Sequence, residues 1–134
     1  MLRKDYKEAI TDFDKSIKLT PEDAEPYNSR GTAKYKLGDY HGAIVDFDKA
    51  IKINPEDANI YNNRGNVKMF FGNFESKRGN LEKTQRLYKK AITDFDKAIQ
   101  INPQKAYYYH ARGLAKRHLG KRKQQKWILI RRRN

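Results

Sequence analysis

The thirteen residues from Ala43 to Pro55 recur, with few changes, as Ala9 to Pro21 and again as Ala91 to Pro103. Counted from the first Ala of each copy, positions 1, 2, 5, 8, 9 and 11 are apolar or small. At helical period they form one stripe, and Asp and Lys take the other face. Each copy therefore reads as an amphipathic helix. It ends before its Pro, because Pro cannot continue a helix and biases the preceding residue out of the α region. One such helix cannot bury its stripe alone, so the copies must pack on something that also repeats.

A second phrase alternates with the first: Tyr27-Asn28-Ser29-Arg30-Gly31 running to Gly38, Tyr61-Asn62-Asn63-Arg64-Gly65 running to Gly72, and Tyr109-His110-Ala111-Arg112-Gly113 running to Gly120. Ala9 to Ala43 and Tyr27 to Tyr61 are each 34 residues apart. Ala43 to Ala91 and Tyr61 to Tyr109 are each 48 apart, so 14 residues have been added to a period of 34. Two helices per 34-residue unit, with Gly at the eighth position, Ala at the twentieth and Pro at the thirty-second, resemble the tetratricopeptide repeat (TPR) family. Tyr27, Gly31, Gly38, Tyr40, Ala43, Phe47, Ala50 and Pro55 carry the resemblance, followed by Tyr61, Gly65, Gly72, Ala91, Phe95, Ala98 and Pro103.

That resemblance implies an all-α fold, a right-handed α-solenoid of antiparallel helix pairs. It divides the chain into a repeat domain over 1–120 and a basic segment over 121–134. Within the domain fall a half repeat (5–23), a repeat (24–57), a repeat holding the insertion (58–105) and a half repeat (106–120). Because the chain opens in a second helix, it reads either as part of a longer array or as a short complete relative. Gly31 and Gly65, opposite Ala43 and Ala91, are expected to let the paired helices approach closely.

Two departures from the family pattern recur. The seventh and eleventh positions, commonly apolar, hold Arg30 and Lys34, Arg64 and Lys68, and Arg112 and Lys116, which share a stripe at i,i+4. Each second helix repeats an Asp (Asp12, Asp46, Asp94), so a structural ladder of Arg to Asp contacts between helices is expected. The insertion lies between Gly72 and Ala91. Either both flanking helices lengthen into a hairpin turning at Gly79-Asn80, or a loop spans Asn73 to about Asn80 with only the second helix lengthened.

The pattern fails after Gly120, where Lys121, Arg122, Lys123, Lys126, Arg131, Arg132 and Arg133 surround Trp127 to Ile130. Three readings stand: a degenerate capping helix docked on the last first-helix, a basic tail for nucleic acid or an anionic surface, or a truncated longer repeat. The charge is unevenly spread. The formal net charge is +14, and residues 97–134 hold 12 Lys and Arg with no acidic residue.

Catalysis is not expected. Ser occurs only at 16, 29 and 76, each inside a repeat or the insertion, and no Gly-rich phosphate loop is present. No metal or cofactor is expected either, because there is no Cys and His41, His110 and His118 lack ligand spacing. No apolar run approaches the roughly 20 residues that span a bilayer. Charge at Arg3, Lys4 and Asp5 replaces a signal peptide's apolar core, so a cytoplasmic location is expected.

The family resemblance implies a protein-interaction scaffold that holds an extended peptide or partner segment in the concave surface of its first helices. The positions that line that surface are here Glu25, Asn28, Ser29, Thr32, Tyr35 and Lys36. In the next unit they are Asn59, Asn62, Asn63, Asn66, Met69 and Phe70, and in the last Tyr107, His110, Ala111, Leu114, Arg117 and His118. Amide side chains both donate and accept, so an Asn-rich groove suits a peptide backbone and selects little by charge. One subclass of the family clamps the acidic tail of a chaperone with Lys, Asn and Arg at positions that are Asn28, Thr32, Asn63, Tyr107 and Ala111 here. Only Asn63 fits, and an acidic peptide is expected only to be steered toward Arg117. The rival reading is nucleic-acid binding through the basic last quarter, where Tyr107, Tyr108, Tyr109, His110, Arg112, Lys116 and Arg117 interleave rings and cations. The terminal helices also leave faces open to a second chain.

Overall fold

The computed structural model describes residues 2–133, and within them every element is a helix. The six are α1 (Arg3–Leu19), α2 (Ala24–Lys36), α3 (Tyr40–Ile53), α4 (Ala58–Lys77), α5 (Leu81–Ile101) and α6 (Ala106–Arg133). Consecutive helices pack on one another, and the first helices α2, α4 and α6 also touch in turn, which makes an α-solenoid.

The local chemistry is that of the repeated phrases. α1, α3 and α5 end at Leu19, Ile53 and Ile101, two residues before Pro21, Pro55 and Pro103. Asp23 and Asp57 then cap the next helices, accepting from the backbone N–H of Glu25 at 3.1 Å and of Asn59 at 3.0 Å. Ala43, Ala50, Ala91 and Ala98 are fully buried, with Phe47 and Phe95 essentially so. A Cβ built on Gly31 or Gly65 would lie 3.0 or 2.8 Å from the ring of Phe47 or Phe95, so these glycines do set the approach of the paired helices.

The insertion is a helical hairpin. α4 runs on to Lys77, α5 starts at Leu81, and Gly79 makes the turn at φ +81°, as Gly38 does at φ +85° between α2 and α3. Gly72, which occupies Gly38's place in the repeat, stays helical, and the ring of Tyr88 covers it.

The Arg to Asp ladder forms. Arg30 donates to Asp46 through Nε at 2.9 Å and Nη2 at 2.8 Å, and Arg64 donates to Asp94 at 3.0 and 2.7 Å. Lys34 and Lys68 add ion pairs to the same two carboxylates at 3.1 and 3.0 Å. Each Arg also reaches back to the preceding second helix, Arg30 to Asp14, Arg64 to Asp48 and Arg112 to Asp96, at 2.8 to 2.9 Å. Sequence reasoning missed this second set of partners, although the doubled Asp of each Asp-Phe-Asp was its signal. Asp12 was expected on the ladder and has no ion pair among the described residues; it is exposed on α1.

The chain does not turn back after Gly120. α6 continues without a break to Arg133, so the expected separate capping helix does not form, and the last expected tail residue, Asn134, lies outside the described residues. Trp127, Ile128, Leu129 and Ile130 cannot dock on the helix that contains them and stay 40 to 57% exposed. The extension of α6 instead runs beside the inserted hairpin, with Arg122 donating to the hydroxyl of Ser76 at 2.8 Å and Lys126 to Glu82 at 2.9 Å.

Candidate functional site

α2, α4 and α6 bring one face of each first helix together, and side-chain amides cross between them. Asn63 donates to Asn28 Oδ1 at 3.0 Å, joining α4 to α2. Asn66 donates to the hydroxyl of Tyr107 at 3.4 Å, joining α4 to α6. Asn59 Oδ1 accepts from Lys105 Nζ at 3.2 Å and from the hydroxyl of Tyr108. At the other end Tyr35 and Phe70 bring their rings to 5.6 Å between centroids.

The expected groove residues divide by exposure. Phe70, Tyr107, His110, Arg117 and Asn59 are exposed, while Asn28, Thr32, Tyr35, Asn63, Asn66 and Leu114 are partly covered. Asn62 and Met69 are exceptions. They are only 7% and 5% exposed, and Met69 packs in the core with Tyr88 and Phe95. Neither presents its side chain to a partner in this conformation. Ala111, at a clamp position of the chaperone-binding pattern, is also buried. His118 turns to α5 and stacks on Tyr88 at 5.6 Å; burial, with Lys121, Arg117 and Arg122 nearby, lowers its pKa below 6.5.

The aromatics of the basic quarter divide: Tyr107, Tyr109 and Trp127 are 52, 43 and 57% exposed. Tyr108 is 1% exposed. Tyr109 donates to the carbonyl of Pro103 at 3.0 Å, the bond that Tyr61 makes to Pro55 at 2.9 Å. The cations Lys121, Lys123, Arg131, Arg132 and Arg133 are exposed along the end of α6, with Arg122 and Lys126 partly covered by their contacts to the hairpin.

A separate cleft of about 610 Å³ opens among α3, α4 and α5, lined by His41, Arg64, Lys68, Arg86, Lys90 and Asp94 among others. It shares no residue with the expected groove. Burial alone would lower the pKa of Arg64, but the hydrogen bonds and charges of Asp94 and Asp48 leave it raised; burial lowers that of Lys68 despite Asp94. These two cations thus serve the ladder. Among the described residues no cluster of His, Asp and Glu could hold a metal ion, and no helix is long and apolar enough to cross a membrane.

A family model described as TPR repeat matches residues 1–38 and 31–69, and one described as tetratricopeptide repeat matches 77–105. The chain belongs to the tetratricopeptide repeat family. No curated protein matches it in sequence. Among solved structures, the MamA protein is 27% identical with a TM-score of 0.72, and the match covers 89% of this chain and 57% of MamA's. This TPR chain thus spans little more than half of that neighbour. The Arabidopsis OM64 TPR domain is 26% identical, with a TM-score of 0.69 and coverage of 86% and 84%. The first TPR of Spaghetti (RPAP3), solved bound to the HSP90 peptide SRMEEVD, shares the fold at 17% identity and a TM-score of 0.72, over 87% of this chain and 81% of its own.

Proposed function

We propose that this TPR protein is a non-enzymatic interaction scaffold that binds an extended peptide segment on the joined face of α2, α4 and α6. The observation that carries this reading is the polar row on that face, where Asn63 bonds to Asn28 and Asn66 to the Tyr107 hydroxyl, so that side chains of three helices are joined. A peptide backbone presents the same donors and acceptors and can exchange partners with them at little net cost. The TPR domain of Spaghetti, solved with a peptide bound, supports the use of this fold for such a ligand. Its acidic peptide does not carry over, because Asn28, Thr32, Tyr107 and Ala111 stand where the clamp of that subclass needs cations and an amide.

The test is a displayed library of unstructured peptides, followed by calorimetric titration of the selected sequence. Asn63→Ala should weaken binding about tenfold, the equivalent of one hydrogen bond of roughly 1.4 kcal/mol. Lys90→Ala, on the far cleft, should leave it unchanged. Selected peptides that bind Asn63→Ala as tightly as the parent would sink the reading. So would a single-stranded oligonucleotide that binds with a log–log salt slope of several units, lost on removal of 121–134, because the basic tail would then be the site.

A further inference from the structure

The two ends of the solenoid carry the halves of one repeat. In the pair α4 and α5, Phe95 covers Gly65, Tyr88 covers Gly72, and Asp94 takes Arg64 and Lys68. α6 repeats the receiving side at the same spacing, with Arg112, Gly113, Lys116 and Gly120 in the places of Arg64, Gly65, Lys68 and Gly72. Its receiving face is open: a Cβ built on Gly113 or Gly120 would meet nothing within 4 Å, and Lys116 is exposed.

α1 repeats the inserting side. Tyr6, Ala9, Asp12 and Phe13 stand in the places of Tyr88, Ala91, Asp94 and Phe95. Asp94 and Phe95 are 3% and 0% exposed, whereas Asp12 is exposed, Phe13 is partly exposed, and no residue of α1 is buried. An aromatic pair seven residues apart, an Asp beside it, two open glycines seven apart and two cations match in size, charge and register.

We infer that α1 of one copy docks antiparallel on α6 of a second copy and completes a repeat between chains. Phe13 seats on Gly113, Tyr6 on Gly120, and Asp12 between Arg112 and Lys116. The contact is heterologous, since each copy keeps one inserting and one receiving face. It therefore propagates into an open filament or closes into a ring rather than stopping at a symmetric dimer. This association is independent of the peptide groove.

Sedimentation velocity over a concentration series of the full chain tests it, and the parent should gain mass with concentration. Asp12→Lys, Lys116→Asp and Gly113→Leu should each weaken association about tenfold or more, through like-charge contact or a filled groove. All three sites are exposed in the single chain, so no variant should lower the unfolding temperature at low protein concentration. Combining Asp12→Lys with Lys116→Asp should recover most of the loss. A parent that stays monomeric throughout would overturn the inference. So would association unchanged in the single variants, or a double variant as defective as either single one.

Discussion

Asp94 and Asp48 show how the same residue type on the same ladder carries different weight. Asp94 is 4% exposed in its side chain and holds two cations, whereas Asp48 is 55% exposed and holds one shared with Asp94. Removing the buried carboxylate strands Arg64 and Lys68 in a desolvated site, so Asp94→Ala should cost about 3 kcal/mol. Asp48→Ala should cost at most about 1 kcal/mol. Urea unfolding of both variants at low protein concentration reads the difference, and equal losses would show that the ladder contributes by count rather than by burial. The glycines divide likewise. Gly65→Ala forces Phe95 to move and should destabilise by about 1 to 3 kcal/mol. Gly113→Ala meets nothing and should be neutral or stabilise by up to about 1 kcal/mol.

Among the elements, the inserted hairpin has a titratable lock. Glu75 is buried near the tip of α4, where it accepts from the Asn80 amide and faces Lys83 at 3.6 Å and Arg78 at 3.8 Å. The Asn80 bond first, and then the two cations, hold its pKa below 4.5 against the effect of burial. A carboxylate with a depressed folded pKa contributes stability that is fully present above its ordinary value. It loses that contribution as pH falls through the lower folded one. Amide exchange at Leu81 to Thr84 should therefore accelerate as pH drops below about 4.5, once corrected for intrinsic rates. Glu75→Gln should exchange faster at neutral pH and lose most of that dependence. The 34-residue period, the helix ends at proline and the insertion's place were legible in sequence, because each depends on a local backbone rule. The choice between hairpin and loop was not legible, since it rests on Tyr88 covering Gly72 from the other helix, and on the Glu75 carboxylate being buried beside Asn80 and Lys83, which only the folded turn brings about.

As a whole molecule, a solenoid is stabilised by neighbour contacts, so its stability should fall toward uncovered ends. α1, with no buried residue, should show the fastest amide exchange of the six helices in dilute solution, while α4 and α5 exchange slowest. Raising protein concentration should protect α1 selectively if it docks between copies. The same dependence on neighbours explains what the sequence misread. Of the three readings open for the residues after Gly120, the cap that folds back is the one the structure contradicts: Gly120, like Gly72, stays helical, and the hairpin offers Ser76 and Glu82 alongside the extended helix.

By itself the sequence determined the repeat: periodicity, turn chemistry and charge at i,i+4 act over a few residues and are written in order along the chain. It also put Asn28, Asn63, Asn66 and Tyr107 on one face of the first helices, where they pair as Asn63 with Asn28 and Asn66 with Tyr107. Only the tertiary structure decided which members of that face remain open, since Asn62 and Met69 are buried by neighbours that no local rule brings near. It also decided which Asp sits in water and which between two helices. Burial belongs to the assembled surface, and α1 and α6, which carry the repeat's residues yet leave Asp12, Gly113 and Lys116 exposed, are where that difference is plainest.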